Sequence, residues 1–186
     1  IFNSIYTAEH YDARLEQKGW NTVNFDDSKW NGVGYRAVPS QNVVSQQVQP
    51  IRAVETIPVK IWKKLNDTTY VFDFARNMAG VTRIKVSGEE GTVVRLKHGE
   101  RLYDNGRVNT SNIDVYHRPV DNSDPFQTDI LVLSGKGEDE FMARFNYKGF
   151  RYVEVTSTNP LVLNENNLTA YFVHSDVPQK GMIHTS

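Results

Sequence analysis

Short runs of β-branched and aromatic residues, each closed by Gly, Asn or Asp, recur along this chain and leave room for little but strands. Residues 69–74 and 80–86 alternate apolar and polar, with Arg83 and Lys85 on the outward face. Residues 91–97, 127–133, 140–145, 151–156 and 168–174 read the same way. Between them lie Gly88-Glu-Glu-Gly91, Asp104-Asn-Gly106, Ser134-Gly-Lys-Gly137 and Asn146-Tyr-Lys-Gly149. Asn-Gly tolerates positive φ, so Asp104-Asn-Gly106 signals a hairpin. Turn signals at roughly eight- to twelve-residue spacing favour a sandwich or barrel. No long segment has a helical period, and no internal repeat is visible. The expectation is an all-β, antiparallel, jelly-roll-like β-sandwich over residues 51–176.

The first fifty residues read differently. Trp20 and Trp30 stand in turn-rich sequence, and residues 40–50 are polar and Gln-rich, as in a linker. Residues 1–50 are therefore expected to be a truncated N-terminal β segment, the end of a preceding domain, with a boundary near Pro50. Residues 177–186 would begin a further connection. The two tryptophans are expected to seal a small β core; a sugar-stacking platform is the competing reading.

Composition removes several function classes. A net charge of -1 over 186 residues gives no field favouring nucleic acid or an anionic membrane. No stretch has the apolar length to span a bilayer. Zero cysteines exclude disulfides and thiolate metal sites without identifying a compartment. Neither a signal peptide nor an initiator Met is visible at the start, which suits an excised piece. There is no His-Glu-x-x-His, P-loop or nucleophile elbow, and Gly32-Val-Gly34 lacks the rest of a dinucleotide fingerprint. The histidines at 10, 98, 117, 174 and 184 are scattered and read as surface or hydrogen-bonded residues.

Several motifs occur in a fixed order. They are Tyr11-Asp-Ala-Arg14, Gly19-Trp20, Phe25-Asp-Asp-Ser-Lys-Trp30, Asp73-Phe-Ala-Arg-Asn-Met-Ala-Gly80, His98-Gly-Glu100 and Tyr147-Lys-Gly-Phe-Arg-Tyr-Val-Glu154. Val173-His-Ser175 and Gly181-Met-Ile-His-Thr-Ser186 follow. Together they resemble the non-catalytic β-sandwich region of bacterial α-L-rhamnosidases, a glycoside hydrolase family. The match runs from the end of the family's N-terminal domain through the following rhamnose-binding-like domain. Two departures fall in one motif: Ala75 stands where the family has glycine, and Arg76 where it has glutamine.

The resemblance implies an enzyme that releases terminal α-L-rhamnose with inversion, using carboxylates on an (α/α) barrel. Inversion needs an acid and a base carboxyl about 6.5–9.5 Å apart. Nothing here matches the family's acid motif; the nearest echo is Glu100-Arg-Leu102, so no catalytic residue is assigned. The chain is accordingly expected to be an ancillary fragment, inactive alone, whose missing partner is the barrel of the same enzyme.

The implied ligand is a rhamnose-containing glycan. Asp73, Arg76, Asn77, Glu100 and Asn112 are the candidate sugar-binding residues: planar hydrogen-bonding groups at strand ends and in loops. Arg151 and Glu154 read as structural, because they sit inside a strand. Some family members bind rhamnose through calcium. Asp73, Asn77 and Asn112 offer oxygens for such an ion, but the cationic Arg76 beside them argues against it, so no cofactor is required. The alternatives are a non-binding spacer or docking module of the same enzyme, and a general protein-interaction sandwich.

Overall fold

The computed structural model describes residues 2–3, 7–114 and 125–185. Its strands are β1 (Phe2–Asn3), β2 (Glu9–Asp12), β3 (Ile51–Pro58), β4 (Ile61–Asn66), β5 (Thr69–Ser87) and β6 (Val93–Gly99). They continue with β7 (Arg101–Leu102), β8 (Val108–Asn109), β9 (Thr128–Val132), β10 (Glu138–Met142), β11 (Lys148–Ser157) and β12 (Leu168–Ser175). There is no α-helix among the described residues. The main sheet runs β1-β2-β9-β6-β11-β5-β12-β3, with β4 and β10 also paired to β5. All pairings are antiparallel except β2 with β9, which is parallel. The sheet curls on itself as a β-sandwich, the fold class expected from the turn spacing.

β5 is the organising element. The sequence pattern suggests two strands here; the chain forms one strand of 19 residues. Its first half lies between β4 and β11, and its second half meets β12 and β10. The halves are joined at residues 74–77, where the register with β11 shifts between Phe150 and Tyr152. A bulge bends and twists a strand, which lets β5 serve both parts of the curled sheet. Gly80 follows the bend. A side-chain carbon there would run into the Tyr171 carbonyl, so only glycine lets β12 approach so closely.

The core follows from alternation. In β6, Val94, Leu96 and His98 point inward while Arg95 and Lys97 lean outward. Phe72, Phe74, Ile84, Leu131, Phe150, Val153 and Leu168 complete the buried cluster. The Asp104-Asn-Gly106 hairpin forms as expected: β7 pairs with β8, and Gly106 takes φ 83°.

The tryptophan expectation is overturned. Trp20 and Trp30 are 55% and 48% exposed, so neither seals a core. Residues 16–30 form successive short turns, including Trp20 N–H to the Gln17 carbonyl and Trp30 N–H to the Asp27 carbonyl. Such turns cannot enclose an indole. His117 lies outside the described residues.

Candidate functional site

The bulge in β5 gathers four of the five candidate sugar-binding residues. Asp73 ends the first regular half of the strand. Arg151, the unpaired residue opposite on β11, donates to both its carboxylate oxygens, from Nε and Nη2 at 2.8 Å each. The Ala75 N–H donates to the same carboxylate at 2.6 Å. Burial raises the Asp73 pKa, but the Arg151 and Ala75 hydrogen bonds outweigh it and hold the carboxyl below its ordinary value. This clamp fixes the bulge and leaves Ala75 at φ 57°, in the left-handed region.

Beyond the clamp, Arg76, Asn77 and Glu100 reach the surface in pairs. Arg76 Nη1 lies 2.6 Å from Glu55 Oε2 on β3, and its guanidinium stacks 4.5 Å from the Phe172 ring centroid. Asn77 Nδ2 donates to Glu100 Oε1 at 2.9 Å. Glu100 leaves the end of β6 beside Gly149. Asn77 is exposed and Glu100 half-buried, so the pair meets solvent. Asn112 stands apart. It lies in the turn after β8, and its side-chain oxygen is buried with no hydrogen-bond partner among the described residues.

Arg151 and Glu154 fulfil the structural roles read from their strand position. Glu154 accepts from Arg107 Nη2 at 2.5 Å and from the Val108 N–H at 2.9 Å, tying β11 to the β7–β8 hairpin. Among the described residues no group of three His, Cys, Asp or Glu is placed to hold a metal. The Asp73 oxygens face Arg151 and a backbone N–H, and the Asn77 amide is turned to Glu100. These donors do not fit a calcium ion as they stand.

Sequence reasoning missed a buried charge cluster below the bulge. Lys148 Nζ lies 2.8 Å from Asp129 Oδ1, with side chains 4% and 1% exposed. Asp129 Oδ1 also accepts the Glu9 N–H at 3.0 Å, and Glu9 in turn accepts from the Arg144 and Phe145 N–H groups. The only available signal was a lysine at the head of an apolar strand.

With this geometry in place, the comparisons decide the family. Residues 63–174 match the model of the bacterial alpha-L-rhamnosidase concanavalin-like domain. The chain belongs to the bacterial α-L-rhamnosidase family. Residues 1–55 match the α-L-rhamnosidase N-terminal domain, so the chain corresponds to ancillary domains of that family. An α-L-rhamnosidase of Streptomyces avermitilis is 35% identical over 94% of this chain and 16% of its own length. One from Formosa agariphila is 28% identical over 100% of this chain and 19% of its own. The chain thus spans under a fifth of the length of these curated relatives. Among solved structures, the Dictyoglumus thermophilum α-L-rhamnosidase superposes with TM-score 0.80 at 35% identity, covering 94% of this chain and 19% of that one. The Streptomyces avermitilis enzyme complexed with L-rhamnose gives TM-score 0.80 at 34% identity, covering 95% and 16%.

Proposed function

We infer that this chain is an ancillary β-sandwich region of an α-L-rhamnosidase that assists in binding rhamnosyl glycans, with hydrolysis carried out elsewhere in the whole protein. The observation that carries this reading is the Asn77–Glu100 hydrogen bond at the exposed tip of a clamped bulge. Held at 2.9 Å, the pair presents the remaining Asn77 carbonyl and Glu100 oxygen to neighbouring hydroxyls without ordering a mobile loop first. A related enzyme with L-rhamnose bound supports rhamnose as the sugar class. No cofactor is needed in this reading, and the partner beyond the glycan is the rest of the enzyme.

A second reading has its own support. Asp73 and Arg76 are spent on ion pairs with Arg151 and Glu55. A spacer or docking module would look the same at those positions. Calorimetric titration with L-rhamnose separates the two. The chain should bind, with the same affinity in calcium and in chelator, and should release no rhamnose from an aryl α-L-rhamnoside. Asn77→Ala removes one hydrogen bond worth about 0.5–1.5 kcal/mol, so affinity should fall roughly three- to ten-fold while the melting temperature barely moves. Normal binding with a much lower melting temperature would make the pair structural and favour docking.

A further inference from the structure

The exposed tryptophans line a groove that the bulge site does not share. It has a volume of about 500 Å³ and is bordered by Tyr11, Leu15, Trp20, Trp30, Met142 and Phe145 among its apolar residues. That volume falls within the range of ordinary ligand clefts, about 300–1,000 Å³. We propose that this groove binds a neutral oligosaccharide, stacking sugar faces on Trp20 and Trp30.

The orientation of Trp30 is already set. Its Nε1–H donates to Gln17 Oε1 at 2.7 Å, and Phe25 packs against it at a centroid distance of 5.4 Å. The ring is still half-exposed, so it is held for contact rather than buried by it. Trp20 is held through its backbone by the Gln17 carbonyl, and the next turn is closed by Thr22 on the Gly19 carbonyl. Gly19, at φ 80°, makes that turn possible. The opposite wall is equally fixed. Tyr11 stacks on buried Phe141 at 5.7 Å, and Glu9 anchors the backbone of Arg144 and Phe145.

The polar lining selects the ligand. Glu9, Asp12, Glu16, Glu140 and Arg144 also line the groove, and Gln17 adds an amide. Asp12 is paired with Arg14, and Glu140 with Lys85. With these carboxylates already partnered, the groove sets hydrogen-bonding groups beside two indole faces without a strong net charge of either sign. A polyhydroxylated, uncharged ligand suits both halves of the lining. Its C–H faces cover the indoles and its hydroxyls donate to carboxylates and amide.

The sugar class rests on the ancillary-module reading; the groove itself does not. The test is tryptophan fluorescence of the chain titrated with the rhamnosyl disaccharide rutinose. Saturable change is expected, with rutinose shielding the indoles from acrylamide. Trp20→Ala should weaken binding roughly ten-fold or more, and Trp20→Phe should retain most of it. Rutinose binding that is indifferent to Trp20→Ala but lost in Asn77→Ala overturns the groove and leaves the ancillary reading standing. No binding of L-rhamnose or rutinose to the unaltered chain overturns both. Should Trp20→Ala fail to fold, absence of acrylamide shielding in the unaltered chain is enough to overturn the groove.

Discussion

Ala75 holds a conformation that its side chain resists. At φ 57° an L-residue pays about 1–2 kcal/mol over the right-handed region. The clamp of Asp73 on Arg151 and on the Ala75 N–H keeps it there. Glycine would remove the strain but lose about 0.5–1 kcal/mol to its greater freedom when unfolded. Ala75→Gly should therefore raise stability in urea unfolding by roughly 0.5–1 kcal/mol. A loss instead would mean that the Ala75 methyl contributes packing that exceeds the strain. The sequence showed alanine where the family has glycine, but not the reason. Positive φ cannot be read from a side chain, and the residue that holds the bulge, Arg151, is 78 positions away from Asp73. For the same reason Asp73 and Arg76 read as free sugar ligands when each in fact has a charged partner on another strand.

The strands themselves were legible, and their partners were not. β6, β9, β11 and β12 lie within a few residues of the alternating runs, because alternation and turn residues are local signals. The edge strands β3 and β4 went unseen because most of their residues are exposed and carry no inward stripe. β2 was also unreadable, since its parallel partner β9 follows about 120 residues later. What joins β2, β9 and β11 is the buried Glu9–Asp129–Lys148 cluster. Removing one member of a buried pair leaves the other charge uncompensated, at a cost of about 3–5 kcal/mol. Lys148→Met should lower stability by that order, since Asp129 would keep only the Glu9 N–H on Oδ1. The double variant Lys148→Met/Asp129→Leu should recover much of the loss. The two changes would then be non-additive in a double-mutant cycle. A Lys148→Met protein within about 1 kcal/mol of the parent would show that the pair contributes little.

Across the whole molecule, the sandwich holds together around a histidine that must stay uncharged. His98 sits at the centre of the curled sheet, edge-on to Phe150 at 4.9 Å, with Nε2 2.9 Å from Thr82 Oγ1 and Nδ1 3.2 Å from the Gln127 carbonyl. A carbonyl can only accept, so Nδ1 carries the proton and Nε2 accepts from the threonine hydroxyl. Burial first, and the nearby Lys148 charge second, lower its pKa from the ordinary 6.5 to about 4. Between those two values the unfolded chain binds a proton that the folded chain refuses. Stability therefore rises with pH across that window: it is fully present above about 6.5 and is lost as pH falls toward 4. The span corresponds to roughly 3 kcal/mol at most. Asp73, with its depressed pKa, adds a loss of the same sign at still lower pH. Urea midpoints measured from pH 8 to 4 should be flat at first and then fall steadily below about 6.5. His98→Gln should start lower, having lost a ring that packs on Phe150, but should show a much flatter profile between 6.5 and 4. If the parent curve were flat through that window, the core would be admitting a charged imidazole, and the loss of stability in acid would have to come from the carboxylate pairs instead.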